Sequence, residues 1–239
     1  MPELRYRKVL LKLSGEALLG DQKFGIDDKM VDRVAGEIGD ALALGVRVAL
    51  VTGGGNIFRG MTIAGKGGNR VAGDHMGMLA TVMNSLALQE GLVRRGIPAH
   101  IFSAVPVPTI CETFTQQRAN EVFNEGSVLV FAGGTGNPFF TTDSGAALRA
   151  AEMGCDALFK GTQVDGIYSA DPKKDPNATR FDRLTHADVL AKGLEVMDAA
   201  AVALARDNRI PVIVFSIRQP GAFVDILKGA GRATIVADS

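Results

Sequence analysis

The chain has no tryptophan, two tyrosines, two cysteines and three histidines, carries no net charge, and holds no apolar run near the length of a membrane span. Each shortage narrows the possibilities. Cys111 and Cys155 lack partners at metal-ligand spacing, so both are expected to be reduced and buried, as in a cytosolic protein. His75, His100 and His186 are scattered and point to no shared chemistry. Lys and Arg together number 26, as do Asp and Glu, which gives no reason to expect a nucleic acid or a membrane surface as partner. The N-terminus is short and basic without a signal-peptide core, and a soluble, cytoplasmic protein is expected.

Glycine, by contrast, is abundant, with 29 of 239 residues, which fits many tight turns rather than a repeat. The apolar share of 46% and charged share of 22% are those of a globular protein, one large domain or two small lobes. The most informative stretch is Gly134-Thr135-Gly136-Asn137-Pro138-Phe139-Phe140-Thr141-Thr142-Asp143. It follows an apolar run, Val128 to Ala132, that reads as a buried strand, and precedes a helical pattern from Ser144 to Met153. Thr141, Thr142 and Asp143 are good helix-capping types, so the loop is expected to end at a helix N-terminus, where free N–H groups favour anions. The same layout occurs earlier: an apolar run from Val46 to Val51, then Thr52-Gly53-Gly54-Gly55-Asn56. Two such turns suggest two phosphate groups held at one sheet edge, as a phosphotransferase requires.

Strand-like runs recur at Lys8 to Leu13, Val46 to Val51, Ala99 to Ala104, Val128 to Ala132, Ala157 to Lys160 and Val212 to Phe215. Helical patterns lie between most of them: Asp27 to Leu44, Asp74 to Arg95, Phe114 to Asn124, Ser144 to Met153 and Asp198 to Asn208. The alternation predicts an α/β protein with a mostly parallel sheet covered on both faces, and ligands beyond the carboxyl ends of its strands. Lys12 with Ser14-Gly15, Gly53 to Asn56, Gly133 to Asp143, and Lys160-Gly161-Thr162 all fall there. The proline-punctuated stretch Asp171 to Arg180 reads as a loop, and a soft lobe boundary is placed near Lys160.

Two familiar nucleotide signatures fail. Gly60 to Gly67 is one residue short of a Walker A loop and ends in glycine where a hydroxyl would hold magnesium; no Gly-x-Gly-x-x-Gly follows a strand. Lys12 interrupts an apolar run, so it is either an edge-strand lysine facing water or one with an anionic partner, and the adjacent Ser14-Gly15 favours the second. Three successive glycines suggest backbone approach to a phosphate rather than a simple turn. Arg59 is either a phosphate grip or a solvated side chain, and Asp74 is either a ligand or only a helix cap. Met76, Met78 and Met83 read as core.

These residues resemble the amino acid kinase superfamily at Lys12-Leu13-Ser14-Gly15, Gly53 to Asn56, Thr135 to Asp143 and Lys160 to Gly166. Asp74-His75-Met76-Gly77-Met78, the Gly134 to Asp143 string and Met197-Asp198 resemble its bacterial uridylate kinase family, and the likeness runs from Lys8 to about Ile235. It implies a three-layer α/β/α sandwich with a mainly parallel central sheet, a homohexamer, and phosphoryl transfer from ATP to UMP with magnesium, in pyrimidine nucleotide synthesis. Lys12, Asp143, Lys160 and Asp198 would form the catalytic group, with Asp143 holding the two lysines and Asp198 orienting magnesium or ATP. ATP would meet Lys12, Ser14, Gly15, Gly55, Arg59, Lys160, Thr162, Tyr168 and Asp171. UMP would meet Gly54, Asp74, Thr135, Gly136, Asn137, Pro138, Phe139, Phe140, Thr141 and Thr142, its phosphate lying near Gly54, Gly55 and Arg59. Residues 1–159 would hold UMP and 160–239 ATP. Gly20, Asp21, Gln22, Lys23, Phe24 and Gly25 align with a segment linked in the family to activation by GTP, with UTP as inhibitor; no metal ligand is assigned. The alternatives are a sister kinase acting on a carboxylate or carbamate, and a non-catalytic nucleotide sensor.

Overall fold

The structure, a computed structural model, describes residues 4–58, 68–172, 174–194 and 196–238. Arg59 and the Gly60 to Gly67 segment lie outside these residues. β1 (Lys8–Leu13), β2 (Arg47–Thr52), β3 (Ala99–Ser103) and β5 (Val128–Ala132) are short apolar runs, and in β5 every residue is buried. Such runs form strands that are covered on both faces. With the two-residue β4 (Glu112–Thr113), β6 (Ala157–Thr162), β9 (Arg183–Leu184), β10 (Val212–Ser216) and β11 (Ala233–Val236), they build a nine-stranded sheet in the order β4-β3-β5-β2-β1-β6-β10-β11-β9. Its central strands are parallel, and only β11, with β9 beside it, runs against them. A separate small hairpin pairs β7 (Ile167–Tyr168) with β8 (Arg180–Phe181).

Leu11, Leu13, Leu50 and Phe159 point into one core with the helices α1 (Asp28–Ala43) and α2 (Arg70–Arg94). Leu10, Val51 and Leu158 point into the other, against α3 (Gln116–Asn124), α4 (Thr142–Glu152), α5 (His186–Ala191) and α6 (Ala199–Asp207). The short helix α7 (Ala222–Leu227) joins the first layer through Phe223 and Leu227. The three-layer expectation holds. Each fully buried leucine or phenylalanine contributes about 1.5–3 kcal/mol by leaving water.

β1 lies between β2 and β6, so the chain winds outward from it in both directions. That is the switch point where such sheets open a crevice beyond their carboxyl ends. It also settles the reading of Lys12, which sits on a central strand rather than an edge and is buried.

Several expectations need correction. Helix α2 does not start at Asp74: Asn69 is its cap, accepting the N–H groups of Val71 at 2.8 Å and Ala72 at 3.4 Å, and Asp74 lies a turn inside. Both residues are capping types, and the one that meets the free N–H groups wins. Of the three methionines read as core, only Met78 is buried; Met76 and Met83 are exposed on α2 with Leu79 and Val93. Cys155 is buried as expected but Cys111 is half-buried, and both are free thiols. Among the described residues no helix is long and apolar enough to cross a membrane.

Candidate active site

The register of the central strands places Lys12 of β1 directly beside Lys160 of β6. Two neighbouring ammonium groups would repel, and both are largely shielded from water. Asp143, in the first turn of α4, resolves this: one carboxylate oxygen lies 2.7 Å from Lys12 Nζ, the other accepts a hydrogen bond from Lys160 Nζ at 2.6 Å. Burial alone would push the Asp143 carboxyl up; the ammonium groups of Lys12 and Lys160 outweigh it and hold the group below its usual range. Burial lowers the Lys160 ammonium, aided by Lys12 and opposed by Asp143. Lys160 also donates to the Val196 carbonyl. The three charges expected to act together therefore do meet.

Glycines fix the turns around them. A side chain at Gly15 would come within 2.4 Å of Asn56 Oδ1 and 2.8 Å of the Gly55 nitrogen, so the turns after β1 and β2 are pressed together. Gly54 is packed as closely against α2, where a Cβ would meet Ala80 and the Gly77 carbonyl at 2.8 Å. Beside Gly55 no described residue lies within 4 Å of where a Cβ would stand. Helix packing thus accounts for the missing side chain at Gly54, and only Gly55 fits the expected close approach of a ligand. Ser14 leads into the short 3-10 turn Gly15–Leu18, and its hydroxyl makes no cap hydrogen bond.

On one side of the triad opens a cavity of about 640 Å³ lined by Lys160, Thr162, Tyr168, Asp171, Leu194 and Val196, among others. It gathers the residues expected on the ATP side from β6 onward. The Thr162 hydroxyl bonds the Val164 carbonyl and N–H, shaping that turn, and Tyr168 donates to Asp165 at 2.6 Å. That hydrogen bond, then partial burial, raises the Tyr168 phenol.

On the other side runs the loop from Gly133 to Thr141. Gly133, Gly134 and Gly136 all have positive φ, at 76°, 57° and 80°, which a side chain would strain. Thr135 folds its hydroxyl onto Asn137, and Gly136 backs on the Ala104 carbonyl. Phe139 adopts φ 71°, rare for a residue with a side chain. Two contacts hold it there: its N–H donates to Asp74 at 2.8 Å, and the Arg70 guanidinium lies 5.7 Å from its ring centre. Arg70 Nε in turn grips both Asp74 oxygens at 2.8 and 3.0 Å. Although partial burial opposes it, these donors keep the Asp74 carboxyl below its ordinary range. Pro138 is half-buried and Phe140 exposed. Thr141 caps α4 by accepting the Asp143 N–H at 3.0 Å, and Thr142 Oγ1 packs beside Gly53.

Three positioning contacts escaped sequence reasoning, although Asp198, which makes one of them, was singled out there for orienting magnesium or ATP. Asn56 and Asn84 form a reciprocal buried amide pair, at 2.9 and 2.7 Å, that ties α2 to the glycine turn; Asn56 also bonds the carbonyl of Gly25. The Gly20 to Gly25 segment is stitched to the site in this way, with Gly20 against Asp27 and Phe24 exposed. Thr81 of α2 accepts the Gly133 N–H at 2.8 Å. Asp198 caps α6 and reaches Ser144 and Thr141 of α4. Asn84 is fully buried, but α2 carries several other polar residues, so nothing in the sequence set it apart.

Among the described residues no group of three or more His, Cys, Asp or Glu side chains could cage a metal. Asp143 is engaged by two lysines, so a protein-made magnesium site does not fit these residues. A carboxylate-bridged lysine pair at the switch point of a parallel sheet, with glycine turns around it, defines a class of α/β protein suited to phosphate-bearing ligands. The amino acid kinase family model matches residues 7–216. Uridylate kinases of Mesorhizobium japonicum and Agrobacterium fabrum are 64% and 65% identical over 233 residues, covering 98% of this chain and 97% of their own. The solved UMP kinase of Bacillus anthracis superposes with a TM-score of 0.94 at 36% identity, covering 98% of this chain and 97% of that one. That of Ureaplasma parvum does so at 0.92 and 35%, covering 98% and 100%. The chain belongs to the amino acid kinase family and, within it, to the uridylate kinases.

Proposed function

We propose that the protein transfers the γ-phosphoryl group of ATP to UMP, giving ADP and UDP. The observation that carries this reading is the Lys12–Asp143–Lys160 triad at the junction of a nucleotide-sized cavity and the Gly134 to Thr142 loop. Phosphoryl transfer asks little covalent work of the protein, so positioning and charge neutralisation dominate. A UMP phosphate oxygen is already a competent nucleophile and needs no general base. Lys12 and Lys160 neutralise charge that spreads over the γ-phosphoryl oxygens, helped by backbone N–H groups near Gly15 and Gly55. Asp143 keeps the ammonium groups apart and aimed. Magnesium enters with ATP as part of the substrate, bound through phosphate oxygens and water. Adenosine occupies the cavity between Tyr168, Asp171 and Leu194, drawn mainly from residues 160–239. UMP lies on residues 1–159, with Asp74 near its ribose and the Gly134 to Thr142 loop around its base.

A coupled assay of ADP release across UMP, CMP, dCMP and small carboxylic acids tests the reading. UMP is expected to lead; turnover on a carboxylate or carbamate instead would assign the chain to a sister kinase, and none at all would favour a nucleotide sensor.

The same reading extends to a cytoplasmic homohexamer activated by GTP and inhibited by UTP. Its support is the exposed apolar face of α2 at Met76, Leu79, Met83 and Val93, and the Asn56 bridge between the Gly20 to Gly25 segment and the site. Closed symmetry is the usual form of soluble homo-oligomers, and an effector acts only through differential affinity for two states. Light scattering should give six copies at micromolar concentration. A monomer would refute the assembly, and UMP saturation curves unmoved by GTP or UTP would remove the regulation.

A further inference from the structure

We infer that Asp198 is a positioning residue, a brace that fixes the Asp143–Lys160 pair from behind, and not a ligand for metal or ATP. The inference rests on the phosphotransferase reading above. Its first support is hydrogen-bond accounting. Asp198 Oδ1 accepts from the Ala201 N–H at 2.9 Å and from Ser144 Oγ at 2.8 Å. Its Oδ2 accepts from Thr141 Oγ1. Thr141 passes the constraint on, because the same oxygen accepts the N–H of Asp143. A continuous chain therefore runs from the Asp143 backbone through Thr141 to Asp198. Ser144 is buried, so its hydroxyl depends on this partner.

The second support is placement. Asp198 is the N-cap of α6, while Ser144 and Thr141 belong to the start of α4, so a single carboxylate ties two helix N-termini together. Two residues upstream, the Val196 carbonyl takes a hydrogen bond from Lys160 Nζ. The 196–198 segment thus holds Lys160 by its backbone and Asp143 by a side chain. Sub-ångström control of that pair is what the chemistry needs, since displacement by about 1 Å can cost 10²-fold in rate.

The third support is charge balance. Lys160 is faced by Lys12 from β1, Asp143 from α4 and Asp198 from α6. With Lys160 itself, these are two ammonium groups and two carboxylates. Removing the charge of Asp198 leaves one positive charge in excess around a buried lysine, which then releases its proton at lower pH.

Asp198→Asn, Asp198→Glu and Ser144→Ala test the brace. In Asp198→Asn, kcat should fall about 10- to 100-fold. KM for ATP and UMP and the half-activating magnesium concentration should stay within about twofold, less than the tenfold that 1.4 kcal/mol of lost binding would give. The Lys160 ¹³Cε resonance of the substrate-free protein, identified by its loss in Lys160→Arg, should titrate at lower pH than in the parent. Ser144→Ala keeps every charge; it should lower kcat by roughly 2- to 12-fold, the scale of one hydrogen bond, and leave the Lys160 titration in place. Asp198→Glu should restore the titration but not the full kcat. A raised magnesium requirement with an unmoved Lys160 titration would overturn the brace in favour of a metal ligand, and an unchanged kcat in Asp198→Asn would overturn it outright. Should Asp198→Asn not fold, Ser144→Ala decides: an unchanged kcat there sinks the proposal. The lysine titration needs no substrate, so a parent protein inactive on UMP would refute the proposed function while leaving the brace testable.

Discussion

The two flanks of the lysine–aspartate triad are finished to different degrees. On the side proposed for ATP a cavity of about 640 Å³ is walled by strand ends and by residues such as Leu194 and Val196. On the acceptor side Phe139 and Phe140 stand 67% and 52% exposed, on a loop that a few polar contacts hold in place. One flank is built from strand ends with the hairpin and loops packed beside them; the other is assembled by hydrogen bonds between parts of the chain far apart in sequence. Damage to the first should read out mainly in ATP binding, damage to the second in acceptor binding, and damage to the triad in the rate itself.

The triad should show the largest effect. Lys12→Ala is expected to lower kcat about 10²- to 10³-fold, the scale of losing one transition-state charge contact, with a nearly unchanged melting curve because Lys160 still pairs with Asp143. Near-normal turnover in a folded variant would show that the charge centre is misassigned. Asp143 adds a pH signature. Its folded carboxyl titrates below its unfolded value of about 3.9, so the stability it contributes is present above that pH and lost as pH falls through the folded value. Asp143→Asn should flatten this acid limb in melting curves recorded against pH.

The acceptor flank comes next. Asp74 accepts from Arg70 and from the backbone of Phe139, a residue held at an unfavourable φ. Hydrogen bonds to a charged group contribute about 1.5–3 kcal/mol each. Asp74→Ala should therefore raise KM for UMP by roughly 10- to 150-fold and leave KM for ATP alone. Equal increases in both constants would mean that the two flanks are not separable.

Legibility followed the same division. Lys12, Lys160 and the strands around them were readable because each is a short apolar run with a polar break at its carboxyl end. Asp143 was readable because capping residues announce a helix start. The Asp74–Phe139 bond spans 65 residues, and the Asn56–Asn84 pair 28, so no local period could display either. The cap at Asn69 lost to Asp74 in the sequence because both are capping types. The strands β4, β7, β8 and β9 have two residues each, too few to show a pattern. The triple glycine was half understood: close packing on α2 is a tertiary reason for Gly54 that composition does not reveal.

Choice of base probes the acceptor loop more gently. A site that hydrogen-bonds the uracil edge leaves groups unpaired against cytosine, at about 1–3 kcal/mol for each buried group. UMP should therefore exceed CMP in kcat/KM by roughly 5- to 150-fold. Comparable turnover of the two would remove the specificity claim and leave the triad untouched.

The smallest effect is expected on the ATP flank. Tyr168 sits on the hairpin strand β7 at the cavity wall, and its hydroxyl donates to Asp165 at 2.6 Å. Asp165 also lies 3.3 Å from Arg232, so the phenol is one of several groups that fix this carboxylate and the turn before β7. Tyr168→Phe keeps the ring proposed to face adenosine and removes only the hydrogen bond, a loss of about 0.5–1.5 kcal/mol. KM for ATP should rise by roughly 2- to 12-fold, with kcat and KM for UMP unchanged. The comparison with Asp74→Ala is the sharpening step: a wall set by packing should tolerate loss of one hydrogen bond better than a loop held by a latch. If Tyr168→Phe proved as costly as Asp74→Ala, the ATP flank would depend on polar contacts as much as the acceptor flank does, and the contrast between them would fail.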